Sequence, residues 1–184
     1  MQQEGFSLLS EPIQQTLAAA GITHPTAPQS AAIPHILSGR NVLLIAPTGS
    51  GKTEAVLLPI FDLLMKIHER HGISVIYITP LRALNRDLLS RVMFWSSKLG
   101  FSVEVRHGDT PTKERRKQAI KPPDLLVTTP ETLQAILPGK RMRSHLRHVR
   151  WVVIDEVHQL ANNRRGVQDT CILLLRFGTQ WDIG

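Results

Sequence analysis

The sequence predicts an α/β fold in which a parallel β-sheet is covered by α-helices on both faces. Short apolar runs rich in β-branched residues recur along the chain, and a segment with helical periodicity follows each of them. The runs are apolar throughout, which is typical of strands that are buried on both sides. Because such strands alternate with helices, we expect them to be parallel. The expected strands span residues 42–45, 75–78, 103–105, 125–128 and 151–154.

Two helices are expected ahead of the first strand. Residues 7–20 have helical periodicity and are followed by Gly21, and residues 29–37 form a second helical segment with Gly39 behind it. A linker that contains prolines, at residues 23–28, joins the two segments.

Size and charge limit the class of protein. A chain of 184 residues with 42% hydrophobic residues can bury one good core. No change of composition marks a second domain, so we expect residues 1–184 to form a single domain. The formal net charge of +7 indicates an anionic partner, and nucleic acid is the natural candidate.

Cysteine content and hydropathy exclude several further classes. The single cysteine, Cys171, cannot form an internal disulfide or a multi-cysteine metal site, which is typical of a reducing compartment. Its neighbours at residues 172–175 are apolar, so we expect a buried thiol. No apolar run is long enough to cross a bilayer, and the N-terminus lacks the regions of a secretion signal. We therefore expect a cytoplasmic protein without membrane contact.

A glycine-rich loop directly after the first expected strand predicts a phosphate-binding site. Residues 46–53 read APTGSGKT, and their small side chains let successive backbone N–H groups turn toward an anion. Lys52 adds a positive charge, and the following helix adds the positive end of its dipole. Thr53 has the hydroxyl that a Mg²⁺ ion bridging two phosphates needs as a ligand. The residues expected to bind the nucleotide are Thr48, Gly49, Ser50, Gly51, Lys52 and Thr53.

Two adjacent carboxylates, Asp155 and Glu156, follow the last expected strand. Ligands of parallel sheets bind beyond the carboxyl ends of the strands, so we expect both acids beside the phosphate loop. We assign Asp155 to holding Mg²⁺, and Glu156 to orienting or deprotonating the water that attacks the phosphate. Taken alone, the pair is equally compatible with the solvated start of a helix. Together with Lys52, it predicts a catalytic site for the hydrolysis of a phosphate anhydride.

These motifs together resemble the first RecA-like motor domain of superfamily 2 helicases, and the resemblance covers nearly the whole chain. It implies a RecA-like P-loop fold with ATP and Mg²⁺ as cofactors. Residues 25–29 read PTAPQ and resemble the adenine-reading element of this family, within an N-terminal helical element at residues 1–40. The resemblance implies that Gln29 bonds the adenine edge and that Phe6 stacks on the ring. Without this context, Gln29 would be interpreted as a solvent-facing helix start.

Three further blocks resemble family segments that contact single-stranded nucleic acid. The residues expected to make these contacts are Pro80, Arg82 and Asn85 in the first block, Gly108 and Asp109 in the second, and Thr129, Pro130 and Thr132 in the third. Because expected strands precede the blocks, they can converge on one edge of the sheet and bind backbone phosphates. Individually, the threonines are equally compatible with helix caps, Asp109 with a turn and Arg82 with a surface cation.

Within the superfamily, the sequences of these motifs are most similar to those of the Lhr-like (large helicase-related) helicases. The segments that carry the similarity are residues 46–55, 80–87, 106–115, 128–137 and 155–166. The similarity implies an ATP-dependent 3′-to-5′ translocase that separates DNA or RNA–DNA duplexes. Residues 155–158 read DEVH, whereas RNA-remodelling relatives more often read DEAD, which favours DNA. An RNA-dependent ATPase of the DEAD-box type stays the alternative.

The resemblance also implies a partner. In this superfamily ATP lies between two RecA-like domains, and the second supplies arginines that stabilise the transferred phosphoryl group. We therefore expect a second RecA-like domain of the same full-length protein, linked to the site through His158, and poor ATP hydrolysis by this chain alone. Basic residues outnumber acidic ones in residues 113–150, which is compatible with a nucleic-acid track and equally with solubilising helix faces. An unrelated P-loop kinase or GTPase and an inert nucleotide-binding module also stay open.

Overall fold

The computed structural model of the chain describes residues 4–157 and 169–177. The helices in this part are α1 Glu4–Ser7, α2 Glu11–Ala19, α3 Ala27–Leu37, α4 Lys52–Met65, α5 Arg86–Lys98, α6 Thr112–Ile120, α7 Pro130–Ile136 and α8 Lys140–Leu146. The strands are β1 Val42–Pro47, β2 Val75–Ile78, β3 Val103–Arg106, β4 Leu125–Thr128, β5 Trp151–Asp155 and β6 Asp169–Arg176. None of the described helices combines the length and the apolar character that a membrane span requires.

The strands form one sheet in the order β1-β6-β5-β2-β4-β3. β5, β2, β4 and β3 are parallel to their neighbours, as the sequence predicts. β6 lies between β1 and β5 and is antiparallel to both, so β1 and β5 run in the same direction. The five expected strands are therefore confirmed, and their carboxyl ends lie along one edge of the sheet.

The structure differs from the expected fold at strand β6. This antiparallel strand makes the sheet mostly parallel, whereas a wholly parallel sheet was expected. The sequence pattern of residues 172–175 predicts apolar surroundings for a buried thiol and does not predict this strand. An apolar run predicts burial but not strand direction, since direction depends on pairing with distant segments of the chain. The expectation of a fully buried thiol was also wrong, because Cys171 is half-buried in this strand.

Each face of the sheet packs against its own apolar core. Successive side chains of a strand point to opposite faces, so neighbouring residues belong to different cores. Tyr77 and Val153 belong to the core that includes α3, α4 and α5. Ile76 and Val152 belong to the core that includes α7 and α8. Helices therefore cover both faces, as the sequence predicts, and α4 lies on the face to which Tyr77 contributes.

The helix expected at residues 7–20 is α2, which begins later, at Glu11, and a separate short helix, α1, ends at Ser7 before it. Pro12 lies in the first turn of α2, where a missing N–H costs nothing. In the interior of a longer helix the same proline would remove a hydrogen bond and clash with the preceding turn. The chain breaks before it instead, and the Ser10 N–H donates to Asp62 Oδ1 on α4 over 2.6 Å.

Asp62 connects the N-terminal helices to α4. Its side chain is fully buried, and Oδ2 accepts a hydrogen bond from Lys66 Nζ over 2.6 Å. Burial opposes the charge, but the bonds from Lys66 and Ser10 hold the pKa of Asp62 below its usual value. Because the pKa is lower in the folded than in the unfolded protein, this stabilisation is present above about pH 4. It is lost as the pH falls through the folded pKa.

We predict that Asp62→Ala lowers the free energy of unfolding by about 2 kcal/mol, because it leaves the Ser10 N–H without its charged acceptor. Urea unfolding at pH 7 measures the change. The matched control is Asp87→Ala, since the exposed Asp87 carboxylate pairs with Arg91 one turn away on α5. It should cost less than about 1 kcal/mol. Equal losses in the two variants would contradict the role assigned to Asp62.

Candidate functional site

The carboxyl edge of the sheet brings the expected motifs together. In the pairing register, Ile78 of β2 lies opposite Ile154 of β5 and Thr128 of β4, and Thr128 lies opposite Arg106 of β3. These strands therefore end at the same height. The loops that follow them emerge side by side, on the same edge as the loop after β1.

The phosphate loop has the backbone conformation that its glycines permit. Gly49 and Gly51 have φ angles of 76° and 83°, in the left-handed region that disfavours other residues. Gly51 caps the N-terminus of α4, so no cap side chain occupies the amide groups of the first turn. An anion at this point meets the N–H groups of the helix start and the positive end of the helix dipole.

Lys52 lies at the base of the loop. Its side chain is only 7% exposed, and Nζ donates to the carbonyl oxygens of Ala46 and Pro47 over 2.7 Å and 2.6 Å. Both acceptors belong to the last residues of β1. The ammonium group is thus held between the strand end and the helix start, where the loop turns.

The start of α3 is bonded to the same loop. Thr26 Oγ1 donates to the carbonyl of Ser50 over 2.8 Å, and Gln29 Nε2 donates to the carbonyl of Gly51 over 3.2 Å. Gln29 Oε1 in turn accepts the N–H of Thr26 over 2.9 Å. Gln29 is buried, at 5% exposure. The expected adenine-reading segment therefore also supports the phosphate loop, a contact that sequence analysis missed.

Phe6 lies apart from this arrangement. Its ring is 8% exposed and packs in the apolar core with residues of α2 and α3. It lines a separate cavity of about 440 Å³, together with Ser7, Gln14, Leu17, Ala18, Ile22, Thr23, His24 and Pro25. Gln29 is not among these lining residues, so the structure does not bring the two expected adenine contacts into one cavity. Stacking on Phe6 stays a prediction.

Asp155 is the last residue of β5 and is nearly buried, at 8% exposure. Its Oδ1 accepts the N–H of Glu156 over 2.9 Å, and its Oδ2 accepts the hydroxyl of Tyr77 over 2.8 Å. Burial raises the pKa of Asp155, and the Glu156 carboxylate raises it further. The Tyr77 hydroxyl and the charge of Lys52 act in the opposite direction.

Glu156 has an unusual backbone. In the described part of the chain, Glu156 is the one non-glycine residue with a positive φ angle, which is 54°. A left-handed conformation costs a non-glycine residue roughly 1–2 kcal/mol, and such strain is concentrated at functional sites. The strained turn comes directly after β5, so the chain changes direction between the two acids.

One cavity of about 190 Å³ unites the phosphate loop and the acids. Its lining residues are Thr48, Gly49, Gly51, Lys52, Thr53, Ala83, Asn85, Asp87, Leu88, Arg91, Asp155, Glu156 and Ile172. Lys52 and Asp155, which are distant in the chain, thus meet around the same space. Of the expected phosphate-binding residues, Ser50 does not line this cavity, and its hydroxyl is buried.

The first expected nucleic-acid block is divided by the structure. Pro80 accepts the N–H of Ala83 in a turn after β2, and Arg82 is exposed on that turn. Asn85 instead caps α5, because its Oδ1 accepts the N–H of Leu88 over 2.9 Å, and it lines the phosphate cavity. The structure therefore places Asn85 on the side of this loop that faces the cavity of the phosphate loop and the acids.

The third block begins α7. The Thr129 hydroxyl accepts the N–H of Thr132 over 3.4 Å and lies 3.0 Å from the Thr132 hydroxyl. Pro130 is the first residue of the helix. These bonds make Thr129 the N-cap of α7, which is the alternative role that the sequence allows for this threonine. Thr129 is buried, whereas Pro130 and Thr132 are half-buried at the surface of the sheet edge.

The second block is an exposed turn held by an arginine. Arg115 Nε donates to the carbonyl of Thr110 over 2.7 Å, and its Nη2 donates to the carbonyl of Gly108. Gly108 and Asp109 are both exposed. Arg115 belongs to the basic stretch of residues 113–150. Its two hydrogen bonds hold the loop on which the expected contacts lie.

Sequence patterns did not point to Tyr77, which lies beneath the phosphate cavity, or to Asp87 and Arg91, which line it. A tyrosine inside a fully buried strand was a usable signal for Tyr77, since a buried hydroxyl needs a partner. No comparable signal existed for Asp87 and Arg91, because their spacing is that of an ordinary surface ion pair. His158 lies outside the described residues.

Comparison with known proteins agrees with this geometry. The family model described as DEAD/DEAH box helicase matches residues 26–180. The chain belongs to the DEAD/DEAH box helicase family. Within this family, it is 41% identical over 153 residues to the ATP-dependent helicase Lhr-Core of Sulfolobus acidocaldarius, an alignment that covers 77% of this chain and 18% of the relative. The chain therefore spans about a fifth of that helicase's length.

Solved helicase structures have the same fold. The structure of Mycobacterium smegmatis helicase Lhr bound to ssDNA and AMP-PNP matches with a TM-score of 0.75 and 36% identity, over 87% of this chain and 22% of that chain. The DEAD-box helicase Mss116 bound to ssRNA and UDP-BeF matches with a TM-score of 0.71 and 25% identity, over 83% of this chain and 32% of that chain. The sheet of this DEAD/DEAH box helicase chain is RecA-like.

Two glycine variants of the helicase chain separate backbone strain from contact with α3. Gly49→Ala and Gly51→Ala both force alanine into the left-handed region, at a cost of roughly 1–2 kcal/mol. A Cβ at Gly49 meets nothing within 4 Å, whereas a Cβ at Gly51 would lie 2.5 Å from Gln29 Nε2. We expect Gly51→Ala to lose about 1 kcal/mol more stability in urea unfolding, through the lost Gln29 bond. Equal destabilisation would show that this bond is not needed.

Proposed function

We propose that this chain binds Mg-ATP and forms the first motor domain of an ATP-dependent nucleic-acid helicase. The observation that carries the proposal is the single cavity lined by Lys52, Thr53, Asp155 and Glu156 at the carboxyl edge of the sheet. A cationic loop at a helix start faces two carboxylates there. This is the combination that phosphoryl transfer requires.

The cavity suits the phosphates of a nucleotide. Its volume of about 190 Å³ is below the roughly 300–1,000 Å³ of sites that enclose a whole ligand. The phosphates therefore fit inside, and the base extends toward Gln29. The Gln29 amide keeps one N–H and one lone pair beyond its bonds to Gly51 and Thr26, which leaves it able to pair with an adenine edge.

The residues also fit a Mg²⁺ ion. Thr53 supplies a hydroxyl and Asp155 a carboxylate, and both are the oxygen ligands that this ion prefers. Bound Mg²⁺ would neutralise charge on the phosphates and polarise them. A cation beside Asp155 also offsets the effect of burial, which otherwise favours the protonated acid.

Glu156 is proposed to orient or deprotonate the water that attacks the terminal phosphate. It lines the cavity next to Asp155, and its strained backbone turns the chain at this point. Cations that stabilise the transition state are proposed to come from a second RecA-like domain of the full-length protein. Such an arginine is typically worth about 10³–10⁵ in rate, so this chain alone should turn over slowly.

Single-stranded nucleic acid is proposed to bind across the turns after β2, β3 and β4. Their strands end at one height, and Arg82, Gly108 and Asp109 are exposed there. The match to helicase Lhr of Mycobacterium smegmatis, which was solved bound to ssDNA, supports DNA as the substrate. The sequence motifs that resemble Lhr-like helicases support 3′-to-5′ movement. The match to Mss116 bound to ssRNA supports an RNA-remodelling ATPase as the second candidate.

Two variants test the nucleotide site. Lys52→Ala should remove most of the ATP affinity, because it deletes the buried cation of the phosphate loop. Glu156→Gln should retain ATP affinity and lower the hydrolysis rate by about 10²–10⁴-fold. Calorimetric titration of this chain measures binding, and phosphate release by a chain extended to the length of the relatives measures turnover. Unchanged hydrolysis in Glu156→Gln would refute the assigned role.

Substrate and direction are tested with the extended chain on duplexes that carry one overhang. We expect unwinding from a 3′ overhang of DNA and not from a 5′ overhang, and stronger ATPase stimulation by single-stranded DNA than by RNA. The 184-residue chain serves as the control and should unwind neither. Stronger stimulation by RNA would favour the RNA-remodelling alternative, and equal unwinding by both chains would contradict the need for a second domain.

A further inference from the structure

We propose that Tyr77 is a positioning residue of the nucleotide site, whose hydroxyl holds the Asp155 carboxylate in the orientation needed to bind Mg²⁺. This inference rests on the proposed function of the cavity. It concerns a residue that does not line the cavity and lies beneath it in the core.

The contact is built from the two neighbouring strands at the centre of the site. Tyr77 lies on β2 opposite Val153 of β5, and alternation along β5 places Asp155 on the same face two residues later. The Tyr77 side chain is fully buried, and its hydroxyl reaches Asp155 Oδ2 at 2.8 Å. The hydroxyl therefore approaches the carboxylate from inside the protein.

Two hydrogen bonds together fix the orientation of the Asp155 carboxylate. Oδ2 accepts from Tyr77, and Oδ1 accepts from the N–H of Glu156 over 2.9 Å. Each carboxylate oxygen keeps a further lone pair, so both bonds are compatible with a metal on the cavity side. With both oxygens held, rotation of the Asp155 side chain would break at least one bond. A carboxylate fixed before the metal arrives loses less conformational freedom on binding.

The phenol acts as a donor across the working pH range. Burial and the charge of Asp155 raise the pKa of Tyr77 well above its usual value. The hydroxyl is thus a hydrogen-bond partner of Asp155, one of the two residues proposed to bind Mg²⁺. Partners of this kind typically change metal affinity or activity by about 10- to 100-fold when they are removed.

A purely structural role for Tyr77 makes a different prediction. In that case Asp155 merely satisfies a buried hydroxyl, and Tyr77→Phe alters stability without altering metal dependence. The matched control is Thr79→Val, which removes another fully buried hydroxyl, from the residue directly after β2. Thr79 Oγ1 has no hydrogen-bond partner in the described part of the chain.

The experiment compares ADP binding with and without Mg²⁺ for the wild type, Tyr77→Phe and Thr79→Val, by calorimetry. We expect Tyr77→Phe to bind ADP in EDTA as the wild type does, and to need about 10- to 100-fold more Mg²⁺ for the tightening that Mg²⁺ produces. Thr79→Val should keep the wild-type Mg²⁺ requirement. An unchanged requirement in Tyr77→Phe would overturn the role of Tyr77. Failure of the wild type to bind ADP would instead overturn the proposed function.

A second readout does not depend on any variant. Tyr77 is the chain's one tyrosine, so tyrosine labelled with ¹³C at Cζ gives one NMR signal. We expect this signal to shift when Mg²⁺ is added to the ADP complex, because the metal draws charge from the carboxylate that the hydroxyl bonds. A signal that does not respond to Mg²⁺, while calorimetry shows Mg²⁺-dependent binding, would refute the coupling even if Tyr77→Phe failed to fold.

Discussion

The parallel pairing of β2 with β5 is the constraint on which the candidate site depends. Val75 lies opposite Trp151 and Ile78 opposite Ile154, so β5 ends one residue beyond β2 with Asp155 at the edge. The side-chain alternation then places Asp155 on the face where α4 begins. A slip of one residue would turn Asp155 to the other face and bring an apolar side chain to the cavity. The chemistry of the site is therefore secured by apolar pairing in the interior.

The phosphate loop depends in addition on the helices that precede β1. Thr26 bonds to the carbonyl of Ser50, and Gln29 bonds to the carbonyl of Gly51, one of the two left-handed glycines of the loop. A loop whose carbonyls are already paired exposes its N–H groups to the ligand, which reduces the ordering cost of binding. Gln29 is also the residue proposed to read the base. In that proposal, one side chain connects adenine recognition to the shape of the phosphate loop.

Electrostatics in the cavity are balanced between burial and pairing. Asp155 is nearly buried beside a second carboxylate, which disfavours its charge, while Lys52 and Tyr77 favour it. Asp62, in the interior on α4, shows the opposite net result, because its ion pair and hydrogen bonds outweigh burial. The difference is consistent with a site prepared for a cation at Asp155 and a completed structural bond at Asp62.

Sequence alone determined the five parallel strands, the phosphate loop, the two acids and the family resemblance, because each is a local pattern of residues. Only the tertiary structure decided the place of β6, which pairs with strands distant in the chain. It also decided that Asn85 lines the cavity between the phosphate loop and the acids, that Gln29 supports the phosphate loop, and that the Tyr77 hydroxyl bonds Asp155. Periodicity records which face of an element is apolar. It does not record which distant side chain lies opposite, because that depends on how the packed elements align.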